Sequence, residues 1–321
     1  MFIRTLLAAA IGLVLALPSQ AQTFPVSIAH AYGETIIAAK PQRIATWGWA
    51  TQDAVIALGE VPVGIPHFSY GGDANGTLGW TRDAVAAMGA AFPAILPASA
   101  EPPVEAIAAL QPDLILAVYS GLTEDQYKLL SGIAPVVAFP ETPWDTSWQQ
   151  TISMTGKAMG KPSEAEALVA ELEQFIIDET AKYPELSGAR FAAIAEWNGQ
   201  INVYGTLDSR VRFLVDAGLV SAPSVSDLAA GQDLYFMLSP ENLDQLEADV
   251  LVSYFETPET DAAFFANPVI ALAPQVQRGA VARVVGAELI NSVSPPSALS
   301  LKWGYPKYIK LIAEAVRAGR N

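Results

Sequence analysis

The chain has 321 residues, of which 51% are hydrophobic, and it is long enough to bury a large core and to form two domains. Its formal net charge of −15 argues against nucleic acid or an anionic lipid surface as a partner. The sequence contains no cysteine, which excludes disulfides, thiolate metal sites, cysteine nucleophiles and a lipid-modified N-terminal cysteine.

Residues 1–21 have the pattern of a secretory signal peptide. Arg4 supplies the positive charge, an apolar run follows over residues 6–17, and Ser19-Gln20-Ala21 provides a small-residue cleavage site. We expect the mature chain to begin near Gln22. The apolar run is too short for a membrane anchor. An exported chain without cysteine fits the bacterial periplasm best.

The first half of the mature chain predicts short strands that alternate with helices. The expected strands are a pair over 26–37, then 44–47, 61–65 and 136–139, and the expected helices are 51–58, 81–88 and 123–130. Residues 66–103 are rich in glycine, proline and aromatic side chains. Long loops of this kind, set between regular elements, are common places for binding.

The longest helical pattern spans residues 163–183, and Ser163 and Glu166 have the spacing of a capping box. A helix of that length runs about 30 Å, enough to cross between two domains. The second half then predicts strands at 191–196, 201–204 and 281–285 and helices at 209–217 and 297–318. Asn198-Gly199 marks a hairpin turn.

One pattern occurs in both halves. It runs from Glu105 through Asp113 to a hydrophobic run, and it returns from Glu241 through Asp249 to a second hydrophobic run. Each copy predicts a short amphipathic helix that leads into a buried, parallel strand. We therefore predict an α/β fold of two similar lobes with parallel central sheets, bridged by a single long helix. The expected division is 22–160 for the first lobe, 161–185 for the helix and 186–321 for the second lobe.

Two lobes imply a cleft, and open α/β sheets place ligands beside the loops that follow their strands. Those loops carry aromatic side chains and a few arginines, which suit a bulky organic ligand with anionic or polar groups. Each residue taken singly fits a core or surface role at least as well, so the cluster carries more weight than any member. The ligand-binding candidates are Trp49, Trp80, Arg82, Tyr119, Arg210 and Tyr235.

Motifs for catalysis and metal binding are absent from the sequence. It has no nucleophile elbow, dinucleotide fingerprint, phosphate loop or zinc-protease motif. Only His30 and His67 are present, so a histidine-rich metal site cannot be built, although an Asp/Glu site stays open. Glu105 and Glu241 could act as an acid/base pair in a secreted hydrolase. However, each starts a helix in a separate lobe, where it equally suits the helix dipole, and glycosidase carboxylates lie within about 10 Å of each other.

The chain resembles the periplasmic substrate-binding proteins of ABC importers, in the iron–siderophore group that also includes vitamin B12 binders. The resemblance covers nearly all of the mature chain and rests on motifs that occur together and in order. They are His30-Ala-Tyr-Gly33-Glu-Thr, Lys40-Pro-Gln-Arg43-Ile, Asp53-Ala-Val-Ile-Ala-Leu-Gly59, Pro62-Val-Gly64, Ile133-Ala-Pro135, Leu238-Ser-Pro-Glu241 and the two repeat copies.

The resemblance implies a helical-backbone fold of the TroA/FhuD type with limited hinge closure. It implies a ferric siderophore as ligand, with iron present only inside the chelate and no further cofactor. It also implies that Glu105 and Glu241 dock onto arginines of an ABC permease. Charges at the rim of an interface govern how fast two proteins associate and how they are oriented on each other. We expect a monomer.

The identity of the ligand stays open at this point. The small number of cations in the loops favours a hydroxamate or mixed-type chelate over a tris-catecholate. A corrinoid or haem ligand and a secreted carboxylate-dependent hydrolase remain as alternatives.

Overall fold

The computed structural model describes residues 23–232 and 234–320, so the predicted signal peptide lies outside the described residues. None of the helices in these two ranges is both long and apolar enough to cross a membrane. The strands are β1 (Val26–His30), β2 (Gly33–Ile37), β3 (Ile44–Thr46), β4 (Gly64–Ile65), β5 (Ala94–Ile95), β6 (Leu114–Leu116), β7 (Val136–Val137), β8 (Arg190–Trp197), β9 (Gln200–Tyr204), β10 (Val220–Ser221), β11 (Tyr235–Leu238), β12 (Val250–Phe255) and β13 (Val281–Val285).

Helices connect most of these strands, and three short 3-10 helices add to them. The α-helices are α1 (Thr51–Ala57), α2 (Gly79–Ala87), α3 (Val104–Ala109), α4 (Glu124–Ser131), α5 (Trp148–Met159), α6 (Pro162–Ala181), α7 (Ser209–Asp216), α8 (Pro223–Ala229), α9 (Pro258–Phe265), α10 (Pro274–Gln277), α11 (Ala287–Val293) and α12 (Ser300–Arg320). The 3-10 helices are Pro184–Leu186, Pro240–Gln245 and Ile270–Leu272.

The first half forms a parallel sheet in the order β5-β4-β3-β6-β7. All three residues of β6 are buried, because helices cover both faces of a parallel sheet. The second half forms a six-stranded sheet in which β8, β12 and β13 are parallel. The α/β fold with parallel central sheets is thus confirmed.

The second sheet also has an antiparallel edge formed by β9 and β11. Asn198 and Gly199 join β8 to β9 with φ angles of 50° and 78°, the left-handed geometry of a two-residue hairpin turn. The predicted turn is confirmed, and it makes the second sheet mixed rather than wholly parallel.

The two repeat copies fold alike at their aspartates. Asp113 accepts hydrogen bonds from the backbone N–H groups of Gln42 (2.8 Å) and Arg43 (2.9 Å), just before β3. Asp249 accepts one from the backbone N–H of Arg190 (2.9 Å), at the start of β8. Each aspartate therefore ties the beginning of its own strand to the neighbouring central strand.

The helices of the two copies differ. The first copy contains the α-helix α3 and the second contains the 3-10 helix Pro240–Gln245, so each copy has the predicted short helix before its strand, but of a different type. Asn242 and Asp244 are poor helix formers and favour tight turns, which accounts for the difference.

Helix α6 follows the first sheet in sequence, precedes the second, and packs against α5 and α12. Its 20 residues give a length of about 30 Å. The helix begins at Pro162, and Lys161 precedes it without a side-chain cap, so the predicted capping box at Ser163 is wrong. Proline suits this first position because its missing N–H would have no helical partner there.

A single large core runs through both halves. It contains Leu114 from the first sheet, Val252 from the second, and Leu172 from α6, together with much of α12. The Thr180 hydroxyl of α6 and the Tyr305 hydroxyl of α12 also lie within 2.6 Å of each other. This shared packing fixes the two sheets relative to each other and therefore fixes the space between their loops.

Candidate functional site

Loops that follow three strands of the first sheet bring aromatic side chains together. The backbone N–H of Trp49, after β3, donates to the backbone carbonyl of Tyr119, after β6 (2.9 Å). The Trp49 ring packs on Phe68 and Tyr70, with ring centroids 5.6 Å and 6.4 Å apart. The carboxyl ends of these parallel strands thus form one aromatic wall, as expected for an open α/β sheet.

The second sheet presents tyrosines on its facing side. Tyr204 of β9 lies directly opposite Tyr235 of β11 in the antiparallel pair, so both side chains share one face of the sheet. The ring of Tyr254, from β12, meets that of Tyr204 edge to face at 5.9 Å. Ala195 pairs with Tyr254 in the intervening strand β8, and its small side chain leaves room beside the rings.

Arg210 lies over these tyrosines. Its guanidinium carbon is 4.3 Å from the centroid of Tyr204 and 5.8 Å from that of Tyr254. Its Nη1 donates to both carboxylate oxygens of Asp208, at 2.9 Å and 3.2 Å. Its Nε is buried and has no partner among the described residues. The ion pair and the two rings therefore hold the side chain in a fixed orientation.

The two walls face each other across the halves. Burial raises the pKa of Tyr70 and the pKa of Tyr119 to about 12, and the positive charge of Arg210 partly offsets both shifts. Both phenols are therefore neutral donors near pH 7. The geometry agrees, because Asn291 of the second half donates to the backbone carbonyl of Tyr70 (3.1 Å) and Arg212 lines one cavity with Tyr119. We call this group the aromatic cleft; it comprises Trp49, Tyr70, Tyr119, Tyr204, Arg210, Tyr235 and Tyr254.

A small cavity adjoins the aromatic cleft and shares Tyr119 with it. Its volume is about 160 Å³, and Trp144 and Phe213 contribute to its lining from the two halves. Pockets for drug-sized molecules measure roughly 300–1,000 Å³, so this cavity alone is too small for a bulky ligand. Next to it, Arg212 and Asp145 form an ion pair of 2.6 Å between the halves.

The structure brings four of the six predicted ligand-binding residues to the aromatic cleft, and two lie elsewhere. Trp80 is 4% exposed, and its Nε1 donates to Asp53 at 2.7 Å. Arg82 pairs with Asp73 in an exposed loop. Trp80 is thus a core residue, and Arg82 is a helix residue that points to the loop of Asp73, because position after a strand does not by itself decide which way a side chain points.

Asp53 links the two halves from a fully buried position. It accepts hydrogen bonds from Trp80, from Thr81 (2.7 Å), and from Ser297, which lies in the second half. Burial raises the pKa of Asp53 even though these hydrogen bonds lower it. Asp53 is part of a sequence motif that the resemblance rests on, but its bonding partners could not be read from the sequence.

The tyrosines Tyr204 and Tyr254 were missed by sequence reasoning. Tyr254 lies in the hydrophobic run of β12, the usual signature of a core residue, and it is 5% exposed, so it forms the buried floor beneath Tyr204. Its position near the carboxyl end of a parallel strand is the signal that selected Tyr119, whereas Tyr204 ends the antiparallel strand β9 and had no such signal.

Glu105 and Glu241 are both exposed. Glu105 lies in the first turn of α3, and Glu241 lies in the first turn of the 3-10 helix Pro240–Gln245. The Ser239 hydroxyl donates to Glu241 (2.7 Å), and this hydrogen bond lowers the pKa of that carboxyl. Their exposure leaves both side chains accessible to another protein, and their docking role stays a prediction.

Residues 23–232 and 234–320 contain no group of three or more histidine, aspartate or glutamate side chains that could hold a metal ion. Both ring nitrogens of His30 have hydrogen-bonding partners, the Thr35 hydroxyl at 2.9 Å and the Tyr32 backbone N–H at 3.2 Å. His30 therefore has a structural role at the turn between β1 and β2.

Two α/β halves with a shared core and a cleft between their strand ends define a two-lobed binding protein. The chain belongs to the family described as "Periplasmic binding protein", which matches residues 44–284.

Several proteins similar to this chain bind siderophores or are named for it. The chain is 28% identical over 270 residues to the ferric-anguibactin-binding protein FatB of Vibrio anguillarum, covering 77% of this chain and 75% of FatB. It is 27% identical over 242 residues to the probable siderophore-binding lipoprotein YfiY of Bacillus subtilis, covering 74% and 70%. The solved structure of PiaA from Streptococcus pneumoniae in complex with ferrichrome is 31% identical, with a TM-score of 0.81 over 91% of this chain and 99% of that chain.

Proposed function

We propose that this chain captures a ferric siderophore in the aromatic cleft and delivers it to an ABC permease for iron uptake. The observation that carries the proposal is the guanidinium of Arg210, which lies over Tyr204 and Tyr254 and is held there by Asp208. Family membership and the siderophore relatives support the same function.

The chemistry of the cleft suits a ferric chelate. Such a ligand has an oxygen-rich centre and a bulky organic periphery. Ring faces from both halves can cover the periphery, and the guanidinium of Arg210 together with the neutral phenols of Tyr70 and Tyr119 can donate to the oxygens. In this proposal the iron is cargo and the chelator supplies its ligands. The chelate fills the open cleft, since the adjoining cavity is too small for it.

Delivery requires a partner in the membrane. Glu105 and Glu241 occupy equivalent positions in the two repeat copies, are exposed, and suit basic side chains on a permease. Export through the predicted signal peptide would place the chain in the periplasm, which agrees with its family. We expect it to act there as a monomer.

An equilibrium titration tests the proposal. The mature chain is titrated, by tryptophan fluorescence, with ferric hydroxamates, catecholates and carboxylates, and with cobalamin and haem. We expect at least one ferric siderophore to quench fluorescence with a Kd below about 10 μM, a binding free energy of roughly −7 kcal/mol. Tight binding of cobalamin or haem alone would favour those alternatives, and binding of none of these ligands would contradict the proposal.

A further inference from the structure

The charges around the aromatic cleft are paired. Arg210 is bonded to Asp208, which is 8% exposed, and Arg212 is bonded to Asp145. Tyr119 lies near both ion pairs. Burial is the main cause of its raised pKa; in addition, the two aspartates raise this pKa and the two arginines lower it. Neither arginine therefore offers an uncompensated positive charge.

A further carboxylate lies on the same side. Glu256 follows directly after β12, and its negative charge adds to the effect of burial in raising the pKa of Tyr70. Asp216 also lines the small cavity beside Arg212, so in the part of the chain that the structure describes two arginines at the cleft meet four carboxylates. This surrounding does not attract an anion, which is consistent with the acidic character of the whole chain.

Ferric chelates differ strongly in charge. Three hydroxamate groups, each a monoanion, neutralise the ferric ion, whereas three catecholate dianions leave the complex strongly anionic. An anionic chelate would bring its charge close to these carboxylates, and like charges repel most strongly at Asp208, which is buried in a low-dielectric site. A neutral chelate meets no such repulsion and can still accept a hydrogen bond from the guanidinium of Arg210.

We infer that the aromatic cleft selects ferric chelates of net charge near zero, of the tris-hydroxamate type, and that Asp208 sets this selectivity by neutralising Arg210. The inference rests on the proposed function and specifies its substrate class. Asp208 acts here as a specificity-determining residue through its ion pair.

Asp208→Asn isolates this role. Asp208 is the N-cap of α7, where its Oδ1 accepts from the backbone N–H of Arg210 (2.8 Å), and asparagine caps helices as well as aspartate. The substitution therefore keeps the cap and leaves the guanidinium uncompensated. Asp249→Asn is the matched control, because it removes the same charge from the arginine ion pair at the opposite end of β8.

The experiment measures Kd for a ferrichrome-type tris-hydroxamate and for a ferric tris-catecholate, at low ionic strength, on wild type and both variants. We expect wild type to prefer the hydroxamate by about 100-fold or more, and Asp208→Asn to reduce that ratio at least about tenfold, while Asp249→Asn leaves it unchanged. Such a result supports the inference.

Two outcomes overturn the inference while leaving the proposed function intact. One is equal or tighter binding of the tris-catecholate by wild type, and the other is a ratio that Asp208→Asn does not change. Failure of wild type to bind any ferric siderophore would contradict the proposed function and the inference together.

Discussion

Arg210 is oriented before a ligand arrives. Asp208 holds its Nη1, and Tyr204 and Tyr254 flank the guanidinium. Fixing a long side chain in advance reduces the entropy that binding would otherwise cost. Arg82 provides a natural comparison, because it is also paired with an aspartate but lies outside the aromatic cleft.

Arg210→Gln should weaken binding of a ferric siderophore. Loss of a hydrogen bond from a charged donor costs about 2 kcal/mol, which corresponds to about a thirtyfold increase in Kd. Arg82→Gln should change Kd by less than about twofold. Fluorescence titration of both variants measures the effect, and similar Kd values for the two would argue against the assigned role of Arg210.

Asp53 is buried and has no cationic partner among the residues that the structure describes, so its ionisation depends on the fold. Burial raises the pKa of Asp53 in the folded chain above its ordinary value of about 3.9. At pH values between the unfolded pKa and the raised folded pKa of Asp53, the folded state binds more protons than the unfolded state. The contribution of Asp53 to stability is therefore complete below the unfolded pKa and is lost as pH rises through the folded pKa.

Asp53→Asn should remove this dependence. The unfolding free energy of wild type minus that of Asp53→Asn should increase as pH falls from the raised pKa towards about 3.9. Urea titrations at a series of pH values measure the difference. A constant difference, or a shift in favour of the variant at low pH, would contradict the account of Asp53.

At the scale of elements, the sequence predicted the parts that depend on local pattern. The buried runs of β6 and β12 and the hairpin turn at Asn198-Gly199 follow from hydrophobicity and turn chemistry within a few residues. The long helix α6 was predicted from its periodicity, although its first residue was not.

Other features depend on contacts between distant segments. Trp80 is in the core because Asp53 binds its indole N–H and Trp303 packs against its ring, 5.4 Å between centroids. Tyr204 and Tyr254 belong to the aromatic cleft because the strands pair in one register. Local pattern carries no information about such pairings, so the residues of the cleft were only partly predictable.

The repeated glutamates provide a prediction at this scale. Alanine at both Glu105 and Glu241 should leave chelate affinity unchanged and reduce uptake through the reconstituted permease at least about tenfold, since rim charges set encounter and register. Alanine at Glu164 and Glu259, exposed glutamates in the first turns of α6 and α9, is the matched control. Loss of chelate affinity in the double variant, or equal transport by both pairs of variants, would rule out docking.

Contacts between the two halves oppose a large closure of one half onto the other. The core is continuous between the halves, α6 and α12 pack together, and Asp53 bonds to Ser297 across the joint. Packed interiors do not deform continuously, so a large hinge motion would require this core to separate.

Chelate binding should therefore change the overall shape little. We expect the radius of gyration from small-angle X-ray scattering to fall by less than about 5% on saturation with a ferric siderophore. The Arg210→Gln variant at the same chelate concentration controls for changes unrelated to binding. A larger decrease would show domain closure that the shared core does not allow.

The location of iron tests the central proposal most directly. A crystal of the mature chain with a ferric siderophore gives anomalous scattering at the iron absorption edge, which locates the metal independently of any assumed contact. We expect one iron peak inside the aromatic cleft, between Arg210 and Tyr119, with chelator oxygens around it. A peak outside the cleft, or an iron coordinated by side chains of the chain itself, would contradict the proposal.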